Sequence, residues 1–447
     1  MQSIIVLILL AAQEPRATAA GELAKLARTC ADGGDFSGAR RELRRAIAIS
    51  ESATLKEELA KLSAKDDAVR PEAVAGIAAE RKRAHDAAAE ALAGDATNLA
   101  LLKVHLPGCE SAFEKLGLAW FATYSSWVAK GDVAKLEAGQ EEIDGAWRDT
   151  EAVAALNRKH STWEDPWVLD DGVHELRTTL PLRSARRLLH YITAYRAFFL
   201  SQFAGDWDLR PPAGKLPIVA TAKQAELRDL VLKHTKGAMD VTQSVHAAAY
   251  YLYTPEPLNP CFVTLEPTNL KGEPFTITVD DVIRTLTHEL THQICFEYSK
   301  HDSDRTRSVE HQMWAVEGLA VFVPNYALER GAWRLTRVRS FKMGEKAGHA
   351  PFAWAKENAG KMPSIDLLVA TRRAQFTTGE NYMTSATLVY FLLEGGGGRH
   401  RRRLLSLLDT VHRIRDKEST FDEAFKEIDR KALQEEFRKF VEAIPIE

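Results

Sequence analysis

The residues with the clearest chemical potential lie between Asp280 and Tyr326, where Thr-His-Glu-Leu-Thr-His-Gln sets His288, Glu289 and His292 in an H-E-x-x-H arrangement. In a helix, His288 and His292 stand four residues apart and share one face, about one turn from each other. Two imidazoles so placed can grip one divalent metal ion, and the glutamate between them points near the same site. The segment has the spacing of a helix. Val282, Ile283, Leu286, Leu290 and Ile294 recur at three- and four-residue steps and form an apolar stripe beside the histidines. Asp280 is the expected N-cap, with Asp281 in the first turn.

A catalytic zinc site needs a third protein ligand and a position left open for water. The best candidate is Glu317, 25 positions after His292, in Trp314-Ala-Val-Glu-Gly-Leu-Ala320. That separation allows one helix to end, the polar run Lys300 to Ser308 to turn, and a second helix to return beside the first. The run from Trp314 to Phe322 is apolar except at Glu317. A carboxylate in such a setting is costly unless a positive charge meets it, and a metal ion would do so. Glu310 and His311 are rival third ligands, nearer in sequence. Glu317 is preferred for its apolar setting and its Gly-x-Ala context.

His288-Glu-Leu-Thr-His292 followed by Trp314-x-x-Glu317-Gly-x-Ala320 resembles the gluzincin metallopeptidases, and most nearly the bacterial peptidase-MA-like group. Gln293 also matches that group. The similarity covers roughly Trp167 to Phe440 and is specific only around 280–326 and 380–393. It implies one zinc ion, a thermolysin-like core and hydrolysis of peptide bonds, with Glu289 as general base. It also implies an edge strand that pairs with extended substrate, for which Ala247 to Tyr251 is a candidate beside the plainer reading of a core strand. Related gluzincins carry a functional tyrosine at the start of a similarly placed helix. Tyr382 matches that position and would donate to the oxyanion; the alternative is a ring packed at a helix end. The chain departs from the pattern at Val321, where thermolysin-like enzymes place an aspartate that supports a ligand histidine. The metzincin pattern fails, because Cys295 and Tyr298 replace its glycine and third histidine.

These residues need a scaffold, and 447 residues suffice for two or three domains. A formal net charge of −3 gives no electrostatic case for nucleic acid or an anionic membrane. Ile4 to Ala12 followed by Ala17-Thr-Ala19 reads as a secretory signal peptide over residues 1–19, although no Lys or Arg precedes the apolar run; the alternative is a buried N-terminal helix. The apolar run is too short to span a bilayer, and no other stretch is long enough. The expected location is therefore secreted or periplasmic, without stable membrane insertion of the mature chain. Four cysteines in an exported chain permit disulfides without demanding them.

Residues 20–156 are rich in Ala, Glu, Lys and Arg and read as a helical accessory domain. Asp35-Phe-Ser-Gly-Ala39 with Leu43, Ala46 and Ile47 resembles one tetratricopeptide-type unit, but three copies are not found, and an ordinary bundle is the plainer reading. Trp120, Phe121 and Trp127 are its expected core. Residues 157–171 read as an irregular linker, and 172–447 as the gluzincin-like domain. Strands are expected at Val173–Thr179, Leu216–Thr221, Ala247–Tyr253 and Cys261–Leu265, and mainly helices after Tyr326. The fold class is α+β, mostly helical, with a small mixed sheet. The basic run Arg399 to Arg403 reads as a solvated helix start. Two functions follow. One is an exported zinc peptidase acting on peptide or protein substrates. The other is an inactive zincin-fold binding or scaffold protein that meets a protein partner through its helical domain.

Overall fold

A computed structural model of the chain describes residues 2–63, 65–237, 248–252, 258–266, 279–299, 309–336, 350–413 and 418–446. The polar run at 300–308 and the turn at Pro255 and Pro257 lie outside them. The two largest hydrophobic cores divide the molecule into an N-terminal unit and a larger second unit.

The N-terminal unit begins with α1 (Gln2–Asp32), α2 (Phe36–Ile49), α3 (Ala53–Leu62) and α4 (Val74–Leu92). Asp35 caps α2 by accepting from the Gly38 amide at 2.7 Å, the bond a helix start leaves open. The position after Ala19 where cleavage is expected falls inside α1, and Ala19 and Ala20 are buried against α2 and α4. The unit continues with α5 (Leu99–His105), α6 (Glu110–Lys115), hairpin β1 (Leu118–Phe121) and β2 (Ser126–Ala129), α7 (Lys130–Glu137), hairpin β3 (Glu141–Ile143) and β4 (Ala146–Arg148), and α8 (Thr150–Lys159). The two hairpins correct the expectation of an all-helical unit. Trp120 and Trp127 face each other across β1 and β2, and Trp127 stacks on Phe113 at 4.8 Å. The aromatics do form core, but as a cross-strand pair.

One buried charge cluster holds this unit together. Glu42, 1% exposed, meets Arg45 at 2.9 Å, His85 at 3.0 Å and Arg81 at 3.7 Å. Burial alone would raise its pKa, but these cations hold it well below the usual carboxylate range. A depressed carboxylate stabilises the fold above its unfolded pKa, and that contribution is lost as pH falls through the folded value. Glu42→Gln is expected to cost about 2 kcal/mol at neutral pH, because it leaves buried cations without a counter-charge. Urea unfolding at pH 7 checks this, and the difference from the native chain should shrink in acid.

The second unit holds a five-stranded mixed sheet in the order β5 (Trp167–Asp170), β6 (His174–Thr178), β7 (Leu216–Lys223), β9 (Cys261–Glu266), β8 (Ala249–Tyr251). β6, β7 and β9 are parallel; β5 and β8 run antiparallel on the edges. The expected linker therefore contributes a strand. Trp167–Asp170 is short and follows Pro166, so only its pairing with β6 identifies it. Side chains alternate across the sheet as strand geometry requires. Leu176, Ile218, Ala220, Cys261 and Val263 face α9 (Leu182–Phe203) and the helix over Val279–Tyr298, while Val219 and Phe262 face α10 (Gln224–His234).

The remaining elements are α11 (Val279–Tyr298), α12 (Met313–Phe322), hairpin β10 (Tyr326–Glu329) and β11 (Ala332–Leu335), α13 (Pro351–Glu357), α14 (Ile365–Ala370), α15 (Gly379–Glu394), α16 (Arg401–Arg413), α17 (Thr420–Ala424) and α18 (Arg430–Ala443). The hairpin interrupts what the sequence reads as a helical stretch after Tyr326. The basic run is not simply solvated. Arg401 is 5% exposed and donates to the Gln202 carbonyl at 2.8 Å, and Arg402 meets Asp66 of the N-terminal unit at 3.2 Å. Two further ties join the units: Arg40 to Asp206 at 2.7 Å, and Arg183 and Arg186 to the buried Glu141 at 2.8 and 2.6 Å. Among the described residues no helix is long and apolar enough to cross a membrane.

Candidate metal centre

α11 carries the H-E-x-x-H residues as the periodicity predicts. It starts at Val279, one residue before the expected cap Asp280. Leu286, Leu290 and Ile294 are fully buried against the sheet and α9. Two hydroxyl pairs fix its rotation: Tyr191 to Thr287 at 2.8 Å and Tyr195 to Thr291 at 2.6 Å. With that face committed to α9, His288 and His292 project toward α12.

Glu317 comes from the middle of α12, whose other residues are nearly all buried. Gln312 begins that helix with φ 55°, its amide oxygen accepting from the Trp314 indole at 2.9 Å. Gly318, next to the ligand, lets α15 approach. A Cβ at Gly318 would sit 2.7 Å from the Ser385 carbonyl oxygen and 2.9 Å from Val389 Cγ2. Gly318→Ala is therefore expected to push the two helices apart, cost about 2 kcal/mol, and weaken metal binding by displacing Glu317. Calorimetric titration with zinc beside thermal unfolding checks both effects.

The three expected ligands come together. His288 Nε2 and His292 Nε2 are 3.1 Å apart, and Glu317 Oε2 lies 3.3 Å from the first and 3.5 Å from the second. A tetrahedral ion with bonds of about 2.0–2.1 Å would hold its ligand atoms about 3.3 Å apart. The observed triangle fits that geometry. The three side chains thus form a group that can hold a metal ion, and the rivals Glu310 and His311 are not part of it. Burial would raise the Glu317 pKa, but His292 and His288 hold it well below its usual range. Burial works against charge on His288, yet the bond to Glu317 and the nearby charges of Glu289 and Glu317 raise its pKa overall.

One contact beside the ligands was not legible in the sequence, because it uses the main chain. The Tyr251 amide donates to Glu289 Oε2 at 2.7 Å. Tyr251 lies on β8, which is an edge strand rather than the core strand the plainer reading expected. Its hydroxyl and both nitrogens of Asn259 converge on Glu297 Oε1 at 2.9, 3.1 and 3.1 Å. Gln293 donates to the Asn259 carbonyl at 2.9 Å and the Pro217 carbonyl at 3.1 Å. α11 thus clamps the strand that in turn holds Glu289.

Glu289 is not a member of the ligand group but stands beside it, 3.9 Å from His288 Nε2. Its pKa is raised, first by burial and with a contribution from the Glu317 charge. Tyr382 occupies the first turn of α15 and packs edge-on to Phe376 at 5.0 Å. Burial raises its pKa, as do the charges of Glu317 and Glu289, which places the phenol within the field of both carboxylates. Tyr390 lies deeper, stacked on Phe322 at 5.6 Å as a core residue. All four cysteines are buried free thiols, and Cys295 is not a ligand. A scan against models of known protein families finds no match to this chain, and a search of curated proteins finds no similar one.

Proposed function

We propose that the protein is an exported zinc-dependent metallopeptidase of the gluzincin kind, most simply an endopeptidase, with the N-terminal unit as an accessory domain. The observation that carries this reading is the two-histidine, one-glutamate triangle with a second, non-ligating carboxylate beside it. That donor set suits zinc and leaves a coordination position open. When bound, zinc would supply a water acidified toward neutrality and a Lewis acid for the scissile carbonyl.

The chain's own residues account for the rest. His288, His292 and Glu317 hold the metal. Glu289 Oε takes a proton from water in the site and delivers it to the leaving amine nitrogen. Its raised pKa suits a group that must both accept and release a proton near neutral pH. The Tyr251 amide keeps that carboxylate turned toward the site. The Tyr382 hydroxyl donates to the oxygen of the carbonyl under attack, a contribution of a few kcal/mol for a well-placed donor. The intact Glu289 favours this over a scaffold role, which would place no demand on a base.

The test is metal analysis with a peptide-library digest. Purified protein should hold about one zinc per chain and cut unfolded protein or peptides. Removing the metal with a chelator should stop cleavage, and added zinc should restore it. Stoichiometric zinc with no cleavage of any library would leave the scaffold reading in its place.

A further inference from the structure

Away from the metal centre, a cavity of about 840 Å³ lies between the two units. Its walls come from α2, α4, α5 and the β1–β2 hairpin on one side, and from α9 and the β10–β11 hairpin on the other. The volume is in the range of small-molecule sites. The approach of the hairpin is tight: a Cβ at Gly331 would lie 2.1 Å from the Pro107 carbonyl oxygen. Gly331 has φ 87°, so glycine is required there on both counts.

The charges on these walls do not balance. Each of the four acids is already engaged. Glu42 is surrounded by Arg45, Arg81 and His85, and Asp86 pairs with Lys82 at 2.7 Å. Asp170 pairs with Lys215 at 3.1 Å, and Asp171 accepts from His174 at 3.1 Å and Thr193 at 2.5 Å. Lys103, His105, His190 and Arg196 line the same space, and none meets a carboxylate among the described residues. Desolvation and neighbouring cations lower the pKa of His105 and His190 to about 4, so both are uncharged near neutral pH and the unmatched charge is that of Lys103 and Arg196.

We propose that this cavity is a second binding site, taking a small organic polyanion whose phosphate or carboxylate oxygens pair with the unmatched cations Lys103 and Arg196. Trp120 and Trp333, also on the walls, offer apolar surface to the body of such a ligand. The site is independent of the peptidase reading.

ATP and citrate serve as probes of the two oxyanion classes. Each is titrated calorimetrically into the full chain at about 0.15 M salt, where unspecific surface attraction is screened. The titration is repeated on His288→Ala/His292→Ala protein, so that binding to a metal is not counted. At least one probe should bind both forms with a Kd below about 100 µM. The double variant Lys103→Glu/His190→Glu should weaken it by at least about tenfold. Both positions face open space, and circular dichroism confirms that the variant folds. Failure of both probes to bind at about 5 mM would overturn the proposal, as would binding undiminished in the reversed-charge variant.

Discussion

Glu289→Gln is expected to reduce peptide hydrolysis by about a thousandfold, the contribution of a positioned general base, while zinc content stays near one per chain. The separation of these effects follows from the geometry. The three atoms that can hold a metal belong to His288, His292 and Glu317, and Glu289 stands outside that group. Glutamine keeps the length of the side chain and an oxygen for the Tyr251 amide, whose bond to Glu289 is 2.7 Å. What it loses is the ability to accept a proton. The fall should therefore appear in kcat, with KM little changed. Cleavage that survives in contaminant-free Glu289→Gln protein would remove Glu289 from the mechanism.

Glu317→Ala is expected to act at the earlier step. It should lower zinc affinity by more than about 100-fold, beyond the cost typical of changes in the groups that merely support a ligand. Cleavage at limiting zinc should disappear with it. In the native chain, zinc should raise the melting temperature, since ligand at 100 times its Kd stabilises by about 2.7 kcal/mol; in the variant the same zinc should do far less. The native site should also be pH-sensitive in a definite direction. His288 must lose its proton to bind metal, and its pKa in the metal-free protein is raised. Zinc affinity should climb with pH through neutrality and level off above that pKa. Competition with a chromogenic chelator across pH 6 to 8 measures both predictions. An affinity equal in Glu317→Ala and native protein would rule out the assigned ligand set.

Much of this centre was legible in the sequence because its parts follow periodic rules. The stripe from Val282 to Ile294 fixed a helix, and the helix fixed which side of it the histidines share. Glu317 was visible as one acid in an apolar run, and the structure places that run along α15 through Gly318. The strand at 174–178 showed its alternation, while those at 216–223 and 261–266 read as short apolar runs set off by proline and asparagine. What escaped has physical reasons. β1 to β5 are three or four residues long, too short for an alternating pattern to stand out. Their identity depends on cross-strand partners such as Trp120 and Trp127. The group that holds Glu289 is a main-chain amide, which nearly every residue possesses. The arginine run at 399–403 reads as solvent-facing because charge pattern alone reveals neither Asp66 in the other unit nor the Gln202 carbonyl at the end of α9.

The four thiols give the molecule a built-in stopwatch. Cys30 and Cys109 sit in one core and Cys261 and Cys295 in the other, and burial pushes every one of them toward the protonated, unreactive state, the first two to about 12. An alkylating reagent can reach them only when the surrounding core opens. Because each half of the molecule holds its own pair, the order in which the cysteines acquire label under mild urea reports which half gives way first, with no probe engineered in.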